Sequence, residues 1–168
     1  YIINNINWDC EVKTLFRENN LGCKYAVSSA IDWFFDNEKM GIILEDDCLP
    51  SQSFFYYCKE MLVRYENDLR FWHINGSQFQ DGIKRGEDSY YLSKFPHIWG
   101  WATWSNRWKY YDVEMKNYDF FIKEKIMNNI FNDEVSRNYW SDIFLRGYQG
   151  RTDAWDYQWA YTCFLNSG

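Results

Sequence analysis

The chain has 168 residues, with 18 Lys or Arg against 24 Asp or Glu and a net charge of −6. This acidic balance argues against a nucleic-acid-binding surface, because such a surface neutralises phosphates with basic residues. No apolar run approaches the roughly 20 residues of a membrane-spanning helix. The length suits one domain or part of a larger one, and the aromatic fraction of 22% is high.

The cysteines number five, and no two of them form a C-x-x-C pair. A disulfide framework is usually even in number and dense. We therefore expect reduced thiols and a cytoplasmic protein. The two histidines, His73 and His97, are not at ligand spacing to any cysteine, so we expect no zinc site.

The first 76 residues alternate between strand and helix patterns. Residues 11–16 (EVKTLF) alternate apolar and polar side chains, as a half-buried strand does, and residues 41–45 (GIILE) form a short apolar run typical of a buried strand. Residues 71–75 (FWHIN) predict a third strand. Helical spacing of apolar residues covers residues 24–37 and 51–67. This order favours a parallel α/β sheet with right-handed crossovers.

The second half of the chain is less regular. We predict a short antiparallel strand at residues 89–93 and three helical stretches at residues 118–130, 135–146 and 155–165. No linker or repeat divides the sequence, which predicts one domain. The predicted domain covers residues 1–168. Within it, a βαβαβ core covers residues 11–76, and an acceptor-side, helical portion covers residues 77–168.

Three consecutive carboxylates, Glu45, Asp46 and Asp47, follow the predicted buried strand of residues 41–45. Ligands of open α/β sheets bind at the carboxyl ends of the strands. Carboxylates crowded there repel one another unless a cation or hydrogen-bond donors compensate, and Mn²⁺ or Mg²⁺ takes oxygen ligands and bridges to phosphates. The alternative is that these residues begin a solvated loop and favour the next helix N-terminus.

Four short blocks of the sequence resemble the GT-A fold glycosyltransferases and follow one another along the chain in the same order. Residues 41–55 (GIILEDDCLPSQSFF) resemble the metal-site segment, in which an apolar strand leads into a D-x-D or E-D-D motif. Residues 17–22 (RENNLG) resemble a turn near the donor. Residues 95–101 (FPHIWGW) and 155–159 (WDYQW) resemble the F-P-G-L-G-W and W-D-D-W stretches of the N-acetylglucosaminyltransferase I type. Bacterial nucleotide-diphospho-sugar transferase-like proteins, some labelled "hemolytic protein", are also similar.

This resemblance implies a Rossmann-like α/β domain with a mostly parallel sheet flanked by helices. It implies metal-dependent transfer of a sugar from a nucleotide-diphosphate sugar to an acceptor hydroxyl with inversion, in polysaccharide or glycoconjugate synthesis. The implied cofactor is Mn²⁺ or Mg²⁺, and the partners are the donor and a glycan or lipid-linked acceptor, with peripheral membrane association left open. Because residue 11 matches a third or fourth strand, we expect a domain truncated at both ends that lacks its N-terminal nucleotide-binding half.

By the same resemblance, the carboxylates receive separate roles at the donor. Asp47 would coordinate the metal. Asp46 would contact the ribose or a metal-bound water, and Glu45 would orient the site from the strand end. Arg17 would bind the diphosphate through paired hydrogen bonds, although a role at the surface fits it equally.

The catalytic base and the sugar contacts are implied by the last two blocks. Asp156 would be the general base, and Asp153 is held in reserve because W-D-Y-Q-W departs from W-D-D-W. Trp101, Gly100 and His97 are candidates for contact with the acceptor or the donor sugar. The alternatives are that Asp156 complements a helix dipole and that the tryptophans pack in the core.

Two other functions fit parts of the pattern. A non-catalytic carbohydrate-binding module would explain the aromatic surplus and the acidic loops. A metal-dependent phosphohydrolase would use the same carboxylates on a phosphoester. The order of the four blocks favours the glycosyltransferase.

Overall fold

The computed structural model describes residues 3–84 and 86–168, so Tyr1, with which the predicted domain begins, lies outside the described residues. A 3-10 helix covers Ile3–Asn5. The strands are β1 (Met40–Ile43), β2 (Ile74–Asn75) and β3 (Trp101–Trp104). The helices are α1 (Gly22–Phe35), α2 (Gln52–Arg64), α3 (Ser105–Trp108), α4 (Tyr118–Lys123), α5 (Ile126–Ile130), α6 (Glu134–Tyr148) and α7 (Asp156–Leu165).

The sheet is antiparallel, and the predicted mostly parallel GT-A (Rossmann-like) sheet is wrong. In the described residues its strand order is β1-β3-β2, and both pairings run antiparallel. β3 lies between β1 and β2 and pairs Trp101 with Ile43 on one side and with Asn75 on the other. The predicted strands at residues 41–45 and 71–75 are present in part as β1 and β2, but these two are not neighbours, because β3 lies between them. The sequence of β3, WATW, contains no pattern that predicts a central strand.

Two other predicted strands do not form. Residues 11–16 and 89–93 have no regular secondary structure in the described chain, and side chains 11–16 are exposed. Phe16 is 83% exposed. Alternation of apolar and polar residues requires a neighbouring strand to become a sheet, and the described structure places none beside either segment.

The predicted helices are confirmed, with one division. α1 packs Val27, Ile31 and Phe35 against the core at intervals of four residues, as an amphipathic helix does. The helix predicted over residues 118–130 is split into α4 and α5. Lys125 between them adopts a left-handed conformation with φ 51°, which a continuous right-handed helix cannot contain.

The core has two parts, one on each face of the sheet. Successive side chains of β3 alternate between faces, so that Ala102 and Trp104 pack with α2 while Trp101 packs on the opposite face. The buried indoles on that opposite face include four whose ring centroids lie 5.1 to 6.4 Å apart. We call them the tryptophan cluster: Trp101, Trp108, Trp155 and Trp159.

Arg107 of α3 fixes the loop that joins α2 to β2. Its guanidinium is 0% exposed and donates hydrogen bonds to the main-chain carbonyls of Tyr65, Glu66, Asp68 and Phe71. One side chain therefore donates to four carbonyls, of which those of Tyr65 and Asp68 also accept from the main-chain N–H groups of Asp68 and Phe71. This loop sets the position of β2 beside β3.

Among the described residues, no helix is both long enough and apolar enough to cross a membrane.

Candidate functional site

The three carboxylates that follow β1, Glu45, Asp46 and Asp47, differ in exposure, and we call them the acidic triplet. Asp46 and Asp47 are exposed, whereas Glu45 is half-buried. The Oε1 atom of Glu45 is buried and has no hydrogen-bond partner within the described part of the chain. Such an atom is costly to leave unpaired. Burial, followed by the charges of the nearby acidic residues, raises the pKa of Glu45.

Asp156 lies near the acidic triplet because of how the tryptophans pack. Ile43, at the end of β1, pairs with Trp101, and the Trp101 ring stacks on Trp155 with centroids 5.7 Å apart. Asp156 follows Trp155 at the start of α7, and its charge is among those that raise the pKa of Glu45. Burial also raises the pKa of Asp156, against the opposing effect of hydrogen bonds from main-chain N–H groups.

Asp153 has a different position from Asp156. Its two carboxylate oxygens accept hydrogen bonds from the main-chain N–H groups of Cys23 and Lys24, each at 3.0 Å. Those N–H groups belong to the first turn of α1, which has no partner for them within the helix. Asp153 therefore caps α1 and joins it to the loop before α7. Its role as a reserve base stays a prediction.

A pocket of about 420 Å³ opens beside the acidic triplet, between the end of β1, the end of β2 and the start of β3. Asp47 is the one carboxylate among the described lining residues, and none of those residues is Lys or Arg. The lining also includes Leu44, Phe54, Ser77, Trp99 and Gly100. Of the residues predicted for the site, the pocket brings together Asp47 and Gly100.

Gly100 and Trp101 are neighbours with opposite surroundings. Gly100 has φ 75° and lines the pocket, and this left-handed conformation favours glycine. Trp101 is 0% exposed and belongs to the tryptophan cluster, so its indole packs in the core in this structure.

Arg17 is exposed, lies outside the described pocket lining, and donates a hydrogen bond to Ser29 Oγ on α1 at 2.8 Å.

Three aromatic side chains lie together beside the pocket, and we call Phe79, His97 and Trp99 the aromatic platform. Trp99 lines the pocket, and His97 is half-buried. Phe79 is 50% exposed and Trp99 65% exposed. The Phe79 ring lies 4.6 Å from the His97 ring and 5.7 Å from the Trp99 ring, centroid to centroid. Sequence analysis missed Phe79, because it lies in a loop without helix or strand periodicity.

The oxygen atoms of the site could bind a divalent cation, but few of the side chains that carry them converge on one point. Among the described residues, no group of three or more His, Cys, Asp or Glu side chains could hold a metal ion. The side chains present offer oxygen ligands, and Glu45 carries a buried oxygen that has no partner among the described residues. Mg²⁺ is commonly bound by one or two carboxylates together with substrate phosphates and water, so the acidic triplet fits a cation that arrives with an anionic substrate.

Comparisons with family models, curated proteins and solved structures find no match to this chain.

Proposed function

We propose that the protein is a metal-dependent glycosyltransferase that moves a sugar from a nucleotide-diphosphate sugar to an acceptor hydroxyl with inversion. The observation that carries this proposal is the acidic triplet at the end of β1, with Asp47 at the wall of the pocket. The four sequence blocks described above support the same chemistry. The antiparallel sheet gives no support from the fold, so the proposal rests on the residues alone.

The charge of the pocket favours a cation as the link to the donor. A nucleotide diphosphate is anionic, and the described lining offers it a carboxylate and no Lys or Arg. Asp47 would hold the cation, with Glu45 and Asp46 completing the negative surroundings. A bound Mn²⁺ or Mg²⁺ would stabilise the negative charge that develops on the departing diphosphate.

The attack by the acceptor hydroxyl requires a base. A raised pKa brings a carboxylate closer to the operating pH, which favours proton transfer, and burial raises the pKa of Asp156. Asp156 would take the proton of the acceptor hydroxyl as its oxygen attacks the anomeric carbon. Because the attack is a single displacement from the face opposite the leaving group, the configuration inverts.

The test is release of nucleotide diphosphate from a panel of UDP- and GDP-sugars, measured with the whole chain with and without Mn²⁺. Asp47→Ala should abolish Mn²⁺-dependent release and weaken the joint binding of Mn²⁺ and UDP in calorimetry. Glu124→Gln is the control, since Glu124 is an exposed carboxylate outside the described pocket lining. Unchanged turnover and unchanged metal binding in Asp47→Ala would contradict the assignment.

A carbohydrate-binding module is the second candidate, favoured by the exposed aromatic platform. It predicts glycan binding with no release of nucleotide from any sugar nucleotide. A phosphohydrolase would instead release phosphate from simple phosphoesters, and the same Mn²⁺ assay with p-nitrophenyl phosphate detects that activity.

A further inference from the structure

The aromatic platform differs in exposure from the tryptophan cluster. Trp101, Trp108, Trp155 and Trp159 are at most 2% exposed, whereas Trp99, separated from Trp101 by one glycine, is 65% exposed. An exposed indole next to an exposed phenyl ring leaves apolar area in water, at the mouth of a pocket. Neighbouring apolar surface of this kind marks an interaction site more often than a scattered single residue does.

Hydrogen bonds hold the main chain under the His97 and Trp99 rings of the platform. The Ser77 hydroxyl donates a hydrogen bond to the carbonyl of Trp99 at 2.8 Å, and the N–H of Gly76 donates to the carbonyl of Gly100 at 3.0 Å. The carbonyl of His97 accepts a hydrogen bond from Nε2 of His73 at 2.8 Å. Rings held on a fixed main chain lose little conformational freedom when a ligand binds, which favours binding.

The surroundings of the platform select its ligand. Asp46 and Asp47 are exposed nearby, and the described pocket lining has no Lys or Arg, so phosphate groups without a cation and anionic membranes are repelled. A pyranose ring matches the remaining features. Its C–H face packs against aromatic rings, and its hydroxyl groups hydrogen-bond to the polar groups beside them, here Ser77 and Asp47.

We infer that the aromatic platform of Phe79, His97 and Trp99 binds a neutral pyranose ring of the acceptor. The identity of this sugar as the acceptor rests on the proposed function, whereas the sugar contact follows from the exposed rings and the charge of the pocket. The acceptor is therefore an uncharged saccharide rather than a lipid or a peptide.

The experiment is saturation-transfer difference NMR on the whole chain, without metal or nucleotide. The probes are methyl β-D-galactopyranoside and methyl β-D-glucopyranoside at millimolar concentration, in the range expected for a single weak contact. We expect saturation of the C–H protons on one face of the ring. Trp99→Ala and Phe79→Ala should each weaken binding about tenfold.

The matched control is Trp8→Ala. Trp8 is 64% exposed, almost the same as Trp99, but lies outside the described pocket lining. Equal loss in Trp8→Ala and Trp99→Ala would overturn the inference, as would absence of saturation with both sugars. UDP and phosphatidylcholine vesicles are tested in separate samples. Saturation of UDP, or Trp99-dependent binding to the vesicles, without sugar binding would assign the platform to a base or a membrane and overturn the inference too.

The two proposals fail separately. The sugar measurement needs no metal and no donor, so its failure leaves the Asp47 assay untouched. Sugar binding that depends on Trp99, together with no transfer from any sugar nucleotide, would keep the sugar site and remove the transferase.

Discussion

The tryptophan cluster and the aromatic platform are built from the same kinds of side chain but differ in burial and in partners. In the cluster, two indole N–H groups bond within the protein: Trp108 donates to Asp32 at 2.7 Å and Trp159 donates to His73 at 3.1 Å. The Nε1 atom of Trp101 is buried without a hydrogen-bond partner among the described residues. The rings of Phe79 and Trp99 in the platform face water. The comparison teaches that aromatic content has two physical uses here. Buried rings stabilise the fold through packing and apolar burial, and exposed rings beside a pocket are available to a ligand.

Trp159→Ala tests the stabilising half of this comparison. We expect it to lower the free energy of unfolding by about 4 kcal/mol, because a buried Trp is replaced by a cavity. Urea denaturation followed by circular dichroism measures this. Trp99→Ala, the matched exposed substitution, should change the free energy by less than about 0.5 kcal/mol. Similar losses in both variants would show that Trp99 also serves the core.

His73 connects the two regions and predicts a pH dependence. Its Nδ1 accepts from Trp159 of the cluster, and its Nε2–H donates to the carbonyl of His97 in the platform. Both bonds use the neutral ring, and burial lowers the pKa of His73 from 6.5 to about 4. The unfolded chain therefore takes up this proton at a higher pH than the folded protein. The stability contributed by neutral His73 is full above pH 6.5 and is lost as the pH falls toward 4, by about 3 kcal/mol.

The measurement compares His73→Gln with the wild type by urea denaturation between pH 7 and pH 4. Glu45 and Asp156 have raised pKa values, so their protonation favours the folded state as the pH falls and opposes the effect of His73. The difference between wild type and variant removes these shared contributions. Parallel pH profiles would contradict the neutral assignment of His73.

Gly100→Ala tests the junction between Trp99 and Trp101 and should have the smallest effect of the three. Alanine at this position would have to adopt φ 75°, and its Cβ would meet Leu44 and Phe54 at 3.4 Å, an ordinary contact distance. We expect a loss of about 1 to 2 kcal/mol from backbone strain, measured by urea denaturation. Gly82→Ala, at φ 76° with nothing within 4 Å, is the control for strain without packing. No loss in Gly100→Ala would show that the turn adapts.

The candidate site was predictable in part. Asp47 follows a buried apolar run, and a strand end is a known place for a ligand site, so its position at the pocket could be expected from sequence. The cap of α1 by Asp153 could not, because it joins residues about 130 apart in the chain. Trp101 and Trp99 stand in the same short motif, and neither composition nor spacing distinguishes the buried ring from the exposed one.

The sequence by itself determined the local structure: helices α1, α2, α6 and α7 follow from apolar residues at helical spacing, and β1 from a short apolar run before the acidic triplet. These features depend on neighbours within a few residues. Tertiary structure alone decided the strand order, since β3 pairs with strands about 60 and about 26 residues earlier. It also decided which aromatic rings are buried, because a side chain's exposure depends on what the rest of the chain places over it.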